Sequence, residues 1–235
     1  MHLVPLPPTR DLRAIVRGYW LVDDSEATLL SDGLRCGPGV GAVVCVQFAD
    51  LVDGEFGPAL EACLTGVQDR ARHYRPRGRT RSLLILFSEL GATRLFPGLG
   101  RDIAGTSIDL AAVVGDGEVG RLRRSAGAAP DAAALAAETD RWLLRRLERT
   151  GEAAGLRRLA AAASLLTESG RSVASAAAAV DLSVRQLERV FDDHVGITPK
   201  RFQTVHRLQR SVHAAMSGLG DPLHGFADQA HQIRA

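Results

Sequence analysis

A change of composition near Gly127–Pro130 divides the chain into two parts with different periodicities. Upstream, the sequence is rich in glycine and β-forming residues. Downstream, from Asp131, it is built from alanine, leucine and arginine with few glycines. The first part reads as mostly strand and the second as all helix. The expected fold class is therefore α+β: a β-rich N-terminal domain with flanking helices, followed by an all-α domain. A second break lies at Gly151–Gly155, so the expected domains are 1–150 and 156–235. A chain of 235 residues is long enough for two small domains.

Within the first part, Gly41–Phe48 and Arg81–Phe87 are β-branched or apolar runs of strand length, expected to be buried strands. Shorter alternating pieces cover Ile15–Val22 and Glu61–Val67. Between Glu61–Val67 and the run to Phe87, Arg70–Arg81 carries Arg70, Arg72, Arg75, Arg77, Arg79 and Arg81. It reads either as a solvated hairpin loop or as a contact for an anionic ligand. Asp131–Arg149 is a strong helix with Asp131 placed to cap it. Leu135, Thr139, Trp142, Leu143, Arg146 and Leu147 fall near one stripe. That stripe needs cover, either from the chain's own sheet or from a second subunit. Cys36, Cys45 and Cys63 are odd in number and form no CxxC pair. They read as small apolar residues in a reducing compartment. A redox or metal sensor has no spacing to support it.

The informative stretch follows Gly155. A helix is expected over Leu156–Glu168, ended by Gly170. Ser172 caps a short alanine-rich helix, Val173–Ala179, and Val180–Leu182 makes a three-residue turn. Ser183 is placed to accept a hydrogen bond from a free amide of the next helix, Val184–His194. In that helix Leu187, Val190 and Phe191 lie on one side. Val184, Arg185, Glu188, Arg189 and Asp192 lie on the other. A helix-turn-helix needs this combination: a small first helix that allows close crossing, and a second helix with an apolar inner face and a polar outer face. The N-terminal half of such a second helix enters the major groove, where an arginine can bond both guanine acceptors. Gly196 then stops the helix. Thr198 and Pro199 start another, Pro199–Met216, as N-cap and first helical residue.

The run VASAAAAVDLSVRQLERVFDDHVGITPKRFQTVHRLQRSV resembles the DNA-binding domain of AraC/XylS-type transcription regulators. The matching pieces are Leu182–Phe191, the VGxTPKxF join at Val195–Phe202, and Arg207–Arg210. The resemblance implies DNA contacts from Ser183, Val184, Arg185, Gln186, Glu188 and Arg189, with Lys200 and Arg201 beside them. GFADQAH at Gly225–His231 resembles the start of the family's second recognition helix, which implies contacts from Gln229, Ala230, Ile233 and Arg234. Here the sequence departs from the pattern. Ser217–His224 replaces a full short helix and contains Pro222, Gln232 stands at a position usually apolar, and the chain stops at Ala235. The second unit is therefore expected to be incomplete. In the front half, Tyr19–Trp20, Phe87–Phe96 and Asp109–Ser125 resemble an uncharacterised sensor-like domain found ahead of such DNA-binding domains. That implies a small-molecule effector or a dimerisation role.

Net charge is only +2, so a DNA-binding surface must come from local charge placement. From Leu156 onward there are ten Lys/Arg against seven Asp/Glu. A single head with few phosphate contacts binds weakly at physiological salt. A homodimer, with two heads, would supply the missing specificity. No run is long enough to span a membrane and none resembles a signal peptide, so a cytoplasmic protein with no membrane partner is expected. No GxSxG, P-loop, GxGxxG after a strand or HExxH is present, so the chain is not expected to be an enzyme or to carry a cofactor. His194, His206, His213, His224 and His231 are scattered over three segments, and no metal site is expected from them. The expected function is a ligand-responsive transcription regulator that binds double-stranded DNA. The alternative is a degenerate, non-DNA-binding protein that binds an effector or dimerises. An enzyme of the front domain is the weakest reading.

Overall fold

The computed structural model describes residues 2–27, 33–54, 60–151, 155–168 and 170–217. The fold is α+β, with strands concentrated in the front half and only helices after it. Among the described residues, no helix is long and apolar enough to cross a membrane.

Strands β1 (His2–Leu6), β2 (Val16–Asp24), β3 (Leu34–Cys36), β4 (Val43–Gln47), β5 (Val52–Gly54), β6 (Ala62–Thr65), β7 (Arg72–Pro76), β8 (Thr80–Phe87) and β9 (Ser107–Asp109) form two antiparallel sheets. The larger has the order β1-β2-β8-β4-β6-β9 and the smaller β3-β7-β5. Two long ladders run from one sheet into the other. The β4–β8 pairing continues through Phe48–Arg81 and Asp50–Arg79 into β5–β7, with a one-residue shift before Leu51. The β4–β6 pairing continues through a Gly39–Gln68 bridge into β3–β7. Shared strands thus fold the smaller sheet over one face of the larger one.

The other face of the large sheet carries the first core. Tyr19, Val44, Leu64, Leu83, Ile85 and Phe87 alternate onto it. They pack against helices α1 (Gly91–Leu95), α3 (Leu110–Val114), α4 (Asp116–Gly127) and α5 (Ala132–Thr150); a short α2 (Gly100–Ile103) lies between the first two. The stripe expected on α5 is covered by the chain's own front half, by α4, α1 and the edge strand β1. Leu135, Thr139, Trp142 and Leu143 are buried there. Asp131 accepts from the Ala134 amide at 2.8 Å, as a capping residue does. Arg146 belongs to this stripe because its guanidinium lies 4.7 Å from the Phe96 ring centre. Its Nε also donates to the Leu95 carbonyl at 3.0 Å. A cation over an aromatic face keeps an arginine tolerable beside a core.

The arginine-rich segment 70–81 differs from a hairpin loop. Its Arg72–Pro76 part is the central strand of the small sheet, and only 77–79 turns. Arg72 is buried, with Nε donating to Gln68 Oε1 at 2.6 Å and Nη2 to the Gly105 carbonyl. The alternation of the strand points Arg72, Tyr74 and Pro76 inward and His73 and Arg75 outward. Glu89 pairs with Arg17, and Asp109 caps α3 by accepting from Ala111 N at 2.9 Å.

One polar contact ties α5 to the sheet. The buried Tyr19 hydroxyl donates to Asp140 Oδ1 at 2.6 Å, and Asp140 also accepts from the Thr9 amide at 3.2 Å. Burial, then the neighbouring carboxylate, pushes the Tyr19 phenol far above its ordinary range, so it stays a donor. Hydrogen bonds to a charged group contribute about 1.5–3 kcal/mol. Tyr19→Phe is expected to lower unfolding free energy by about that amount in urea denaturation; an unchanged midpoint would show that the contact contributes nothing net.

Candidate nucleic-acid interface

The second part contains α6 (Leu156–Thr167), α7 (Val173–Ala178), α8 (Val184–His194) and α9 (Pro199–Ser217). The starts of α7, α8 and α9 each have a side-chain cap. Ser172 Oγ accepts from Ser175 N at 3.0 Å. Ser183 Oγ accepts from Gln186 N at 3.2 Å, while Gln186 Oε1 accepts from Ser183 N at 2.8 Å. This reciprocal pair satisfies two amide donors at the start of α8. Thr198 Oγ1 accepts from Arg201 N at 3.2 Å ahead of Pro199. The turn between α7 and α8 is closed by Leu182 N donating to Ala177 O at 3.0 Å. It places Asp181 at φ 55°, a left-handed position that a short polar side chain tolerates.

The alanines of α7 let α8 approach closely. Ala176, Ala177, Leu187 and Phe191 are all fully or almost fully buried. Phe191 meets Phe202 of α9 edge-on, with ring centres 5.4 Å apart, and α6 closes the core with Leu159, Ala162 and Leu166. The opposite side of α8 faces solvent: Val184, Arg185, Gln186, Glu188 and Arg189 are exposed. Among the described residues, neither Arg185 nor Arg189 has an ion-pair partner. Ser183 and Gln186 are engaged with each other as the cap, so their first role is to hold the helix start.

Lys200 is exposed on the first turn of α9 and lines a cleft of about 480 Å³ with Arg171, Gln203, Arg207 and Arg210. Glu168, paired with Arg171 at 2.8 Å, is the carboxylate in this basic cleft. Arg201 has a different setting. Its Nη2 donates to the Asp69 carbonyl at 2.8 Å and its Nε to Asp69 Oδ2 at 3.4 Å. It therefore joins the two halves of the chain. Gln229, Ala230, Ile233 and Arg234, with the rest of 218–235, lie outside the described residues.

The front half docks on the far end of α8. Gly100 and Gly196 meet so closely that a Cβ on Gly100 would stand 2.3 Å from the His194 carbonyl carbon, and one on Gly196 2.1 Å from Gly100 O. Gly196 also holds φ 82°. Val40 and Val67, from the β3–β4 and β6–β7 connections, are buried in the helical core rather than in that of the sheet. Val40 N donates to Gln209 Oε1 at 3.3 Å. Arg101 spans Asp192 and Asp193 at 2.5 and 3.0 Å. These residues are absent from the candidate positions read along the sequence. Gly196 gave a local signal, as a helix stop, but nothing around it reported its second role.

Arg101 is 62% exposed and its partners about half, so this pair contributes no more than about 1 kcal/mol. The glycine approach is the stronger constraint, because the atoms a methyl group would meet are backbone. Gly100→Ala is thus expected to part the two halves, read as faster limited proteolysis after Thr150, whereas Arg101→Ala leaves the cleavage rate near the parent's. Equal rates for both variants would contradict this ranking.

His206 on α9 lies at the same seam, stacked on Phe202. Burial lowers its pKa below 6.5, opposed by Glu89 and reinforced by Arg210 and Arg17. The unfolded chain then binds more protons than the native one just below neutrality, so stability falls as pH drops from about 7 through the lowered value. His206→Gln is expected to flatten that part of the stability–pH profile, measured by urea midpoints; an unchanged slope would exclude His206 as its source.

No family model matches the chain, and no curated protein matches it.

Proposed function

We propose that this chain is a cytoplasmic transcription regulator that binds double-stranded DNA through α8, under the control of a small effector sensed by its front half. The observation that carries the reading is the division of α8. Its C-terminal end is gripped by the front half, while the N-terminal half presents Arg185 and Arg189 to solvent on a doubly capped, rigid start. Arg185 and Arg189 contact base edges and phosphates, Val184 offers an apolar contact, and Lys200 at the start of α9 contacts the phosphate backbone. Arg201 acts through the seam with Asp69 rather than on DNA. The effector is sensed between the two sheets, where half-buried Trp20, Tyr74 and Leu84 point inward. The working form is a homodimer, since one head reads too few base pairs for useful specificity.

Fluorescence anisotropy with duplexes enriched from a random pool tests this. Affinity is expected to fall linearly on a log–log salt plot, and Arg185→Ala/Arg189→Ala to reduce affinity at least ~10-fold with a slope smaller by about 1–2. No retention of any duplex even at ~50 mM salt would overturn the proposal in favour of an effector-binding or dimerising protein that does not bind DNA. Equal binding by the double variant would move the interface away from α8.

A further inference from the structure

Three cysteines that the sequence keeps apart are brought together between the two sheets, two of them on the inner face of the large sheet. Pairing registers place Trp20, Leu84, Cys45, Cys63 and Asp109 side by side across five strands. Their neighbours Val44, Val46, Ala62 and Leu64 take the opposite, helix-covered face. Cys45 and Cys63 are therefore directly opposed on β4 and β6, both half-buried and both free thiols. Two residues on, Gln47 N donates to Glu61 O at 2.8 Å, which makes Cys45–Cys63 a hydrogen-bonded pair of the ladder. Cα atoms at such a pair are about 5.5 Å apart, within the about 4.4–6.8 Å a disulfide accepts. Opposed Cβ atoms there stand wider than the about 3.5–4.5 Å of a disulfide, so closing the bond draws the two strands together. Cys36 sits on the facing sheet, close enough to add to the charge felt by Cys45.

The two thiols are not equivalent. The neighbouring Cys45 lowers the pKa of the Cys63 thiol, against burial and the nearby Asp109 carboxylate, and Thr65 Oγ1, 3.9 Å from that sulfur, adds to the effect. The neighbouring Cys63, with burial, raises the Cys45 thiol well above its ordinary value. An asymmetric pair of this kind has a nucleophile and a resolving partner already in register.

We propose that Cys45 and Cys63 form a reversible two-thiol redox site for hydroperoxides, with Cys63 as the attacking sulfur. Cys63 thiolate attacks one peroxide oxygen, the O–O bond breaks, and the leaving oxygen departs as water after taking a proton, leaving a Cys63 sulfenic acid. Cys45 sulfur then attacks Cys63 sulfur, its proton goes to the departing hydroxide, and a second water leaves. Two thiols are oxidised to one disulfide as one hydrogen peroxide is reduced to two waters. A dithiol reductant reverses the step by thiol–disulfide exchange.

The test treats the reduced full-length chain with hydrogen peroxide and counts alkylatable thiols by intact mass. The count is expected to fall from three to one, and to return to three with dithiothreitol. Asp50 and Asp53 lie between the two cysteines, so cleavage before aspartate separates them and a non-reduced map should show a Cys45–Cys63 cross-link. Cys36→Ser should keep the link. Cys63→Ser should lose it and leave both remaining thiols alkylatable; circular dichroism confirms that each variant is folded. A link involving Cys36, a sulfinic Cys63 with Cys45 still free, or three intact thiols at peroxide levels that oxidise glutathione would each overturn the proposal.

Discussion

Backbone meets backbone where Gly100 of the front half rests on the His194–Gly196 end of α8, and that approach governs the rest of the arrangement. Two glycines remove the side chains that would hold the halves apart. Val40 and Val67 can then reach the helical core, and Asp69 can reach Arg201. The ion pair at Arg101 decorates this seam and is too exposed to create it. Its consequence is positional: the grip falls on the acidic end of α8, at Asp192 and Asp193, and leaves the arginine-bearing end open.

The seam is continuous with both sheets. The Gly39–Gln68 bridge belongs to a ladder that runs through both sheets, and the same two connections touch α9 through Gln209 and Arg201. Arg72, inside the small sheet, holds Gln68 and the Gly105 carbonyl next to α2. The space between the sheets is therefore joined by continuous packing to the base of α8.

Sequence reading succeeded where causes are local. The caps at Asp131, Ser172, Ser183 and Thr198 each bond an amide three residues on, and Leu187 and Phe191 are spaced to share a face of α8. Such signals sit within one turn of chain. The α5 stripe was legible as a stripe, but its cover was not, because a periodicity says that a face is buried and not by what. The failures are long-range. Arg72 reads as a loop arginine until Gly105 is brought to it, and Arg101 and Asp192 are 91 residues apart. The cysteines have no spacing signature because registry between strands, and not separation along the chain, puts Cys45 beside Cys63. Arg201, which the resemblance sets among the DNA contacts, has a partner that no local pattern shows for the same reason: Asp69 is 132 residues away.

Amide hydrogen exchange of the full chain, with and without a selected duplex, addresses the central claim most directly. Duplex should slow exchange over Ser172–Arg189 and the first turn of α9, and leave Gly100–Ile103 and Asp192–Gly196 unchanged, since the seam is already closed by the protein itself. Protection confined to the seam or to the front half, with the start of α8 exchanging as before, would contradict the assignment of α8 as the surface that meets DNA.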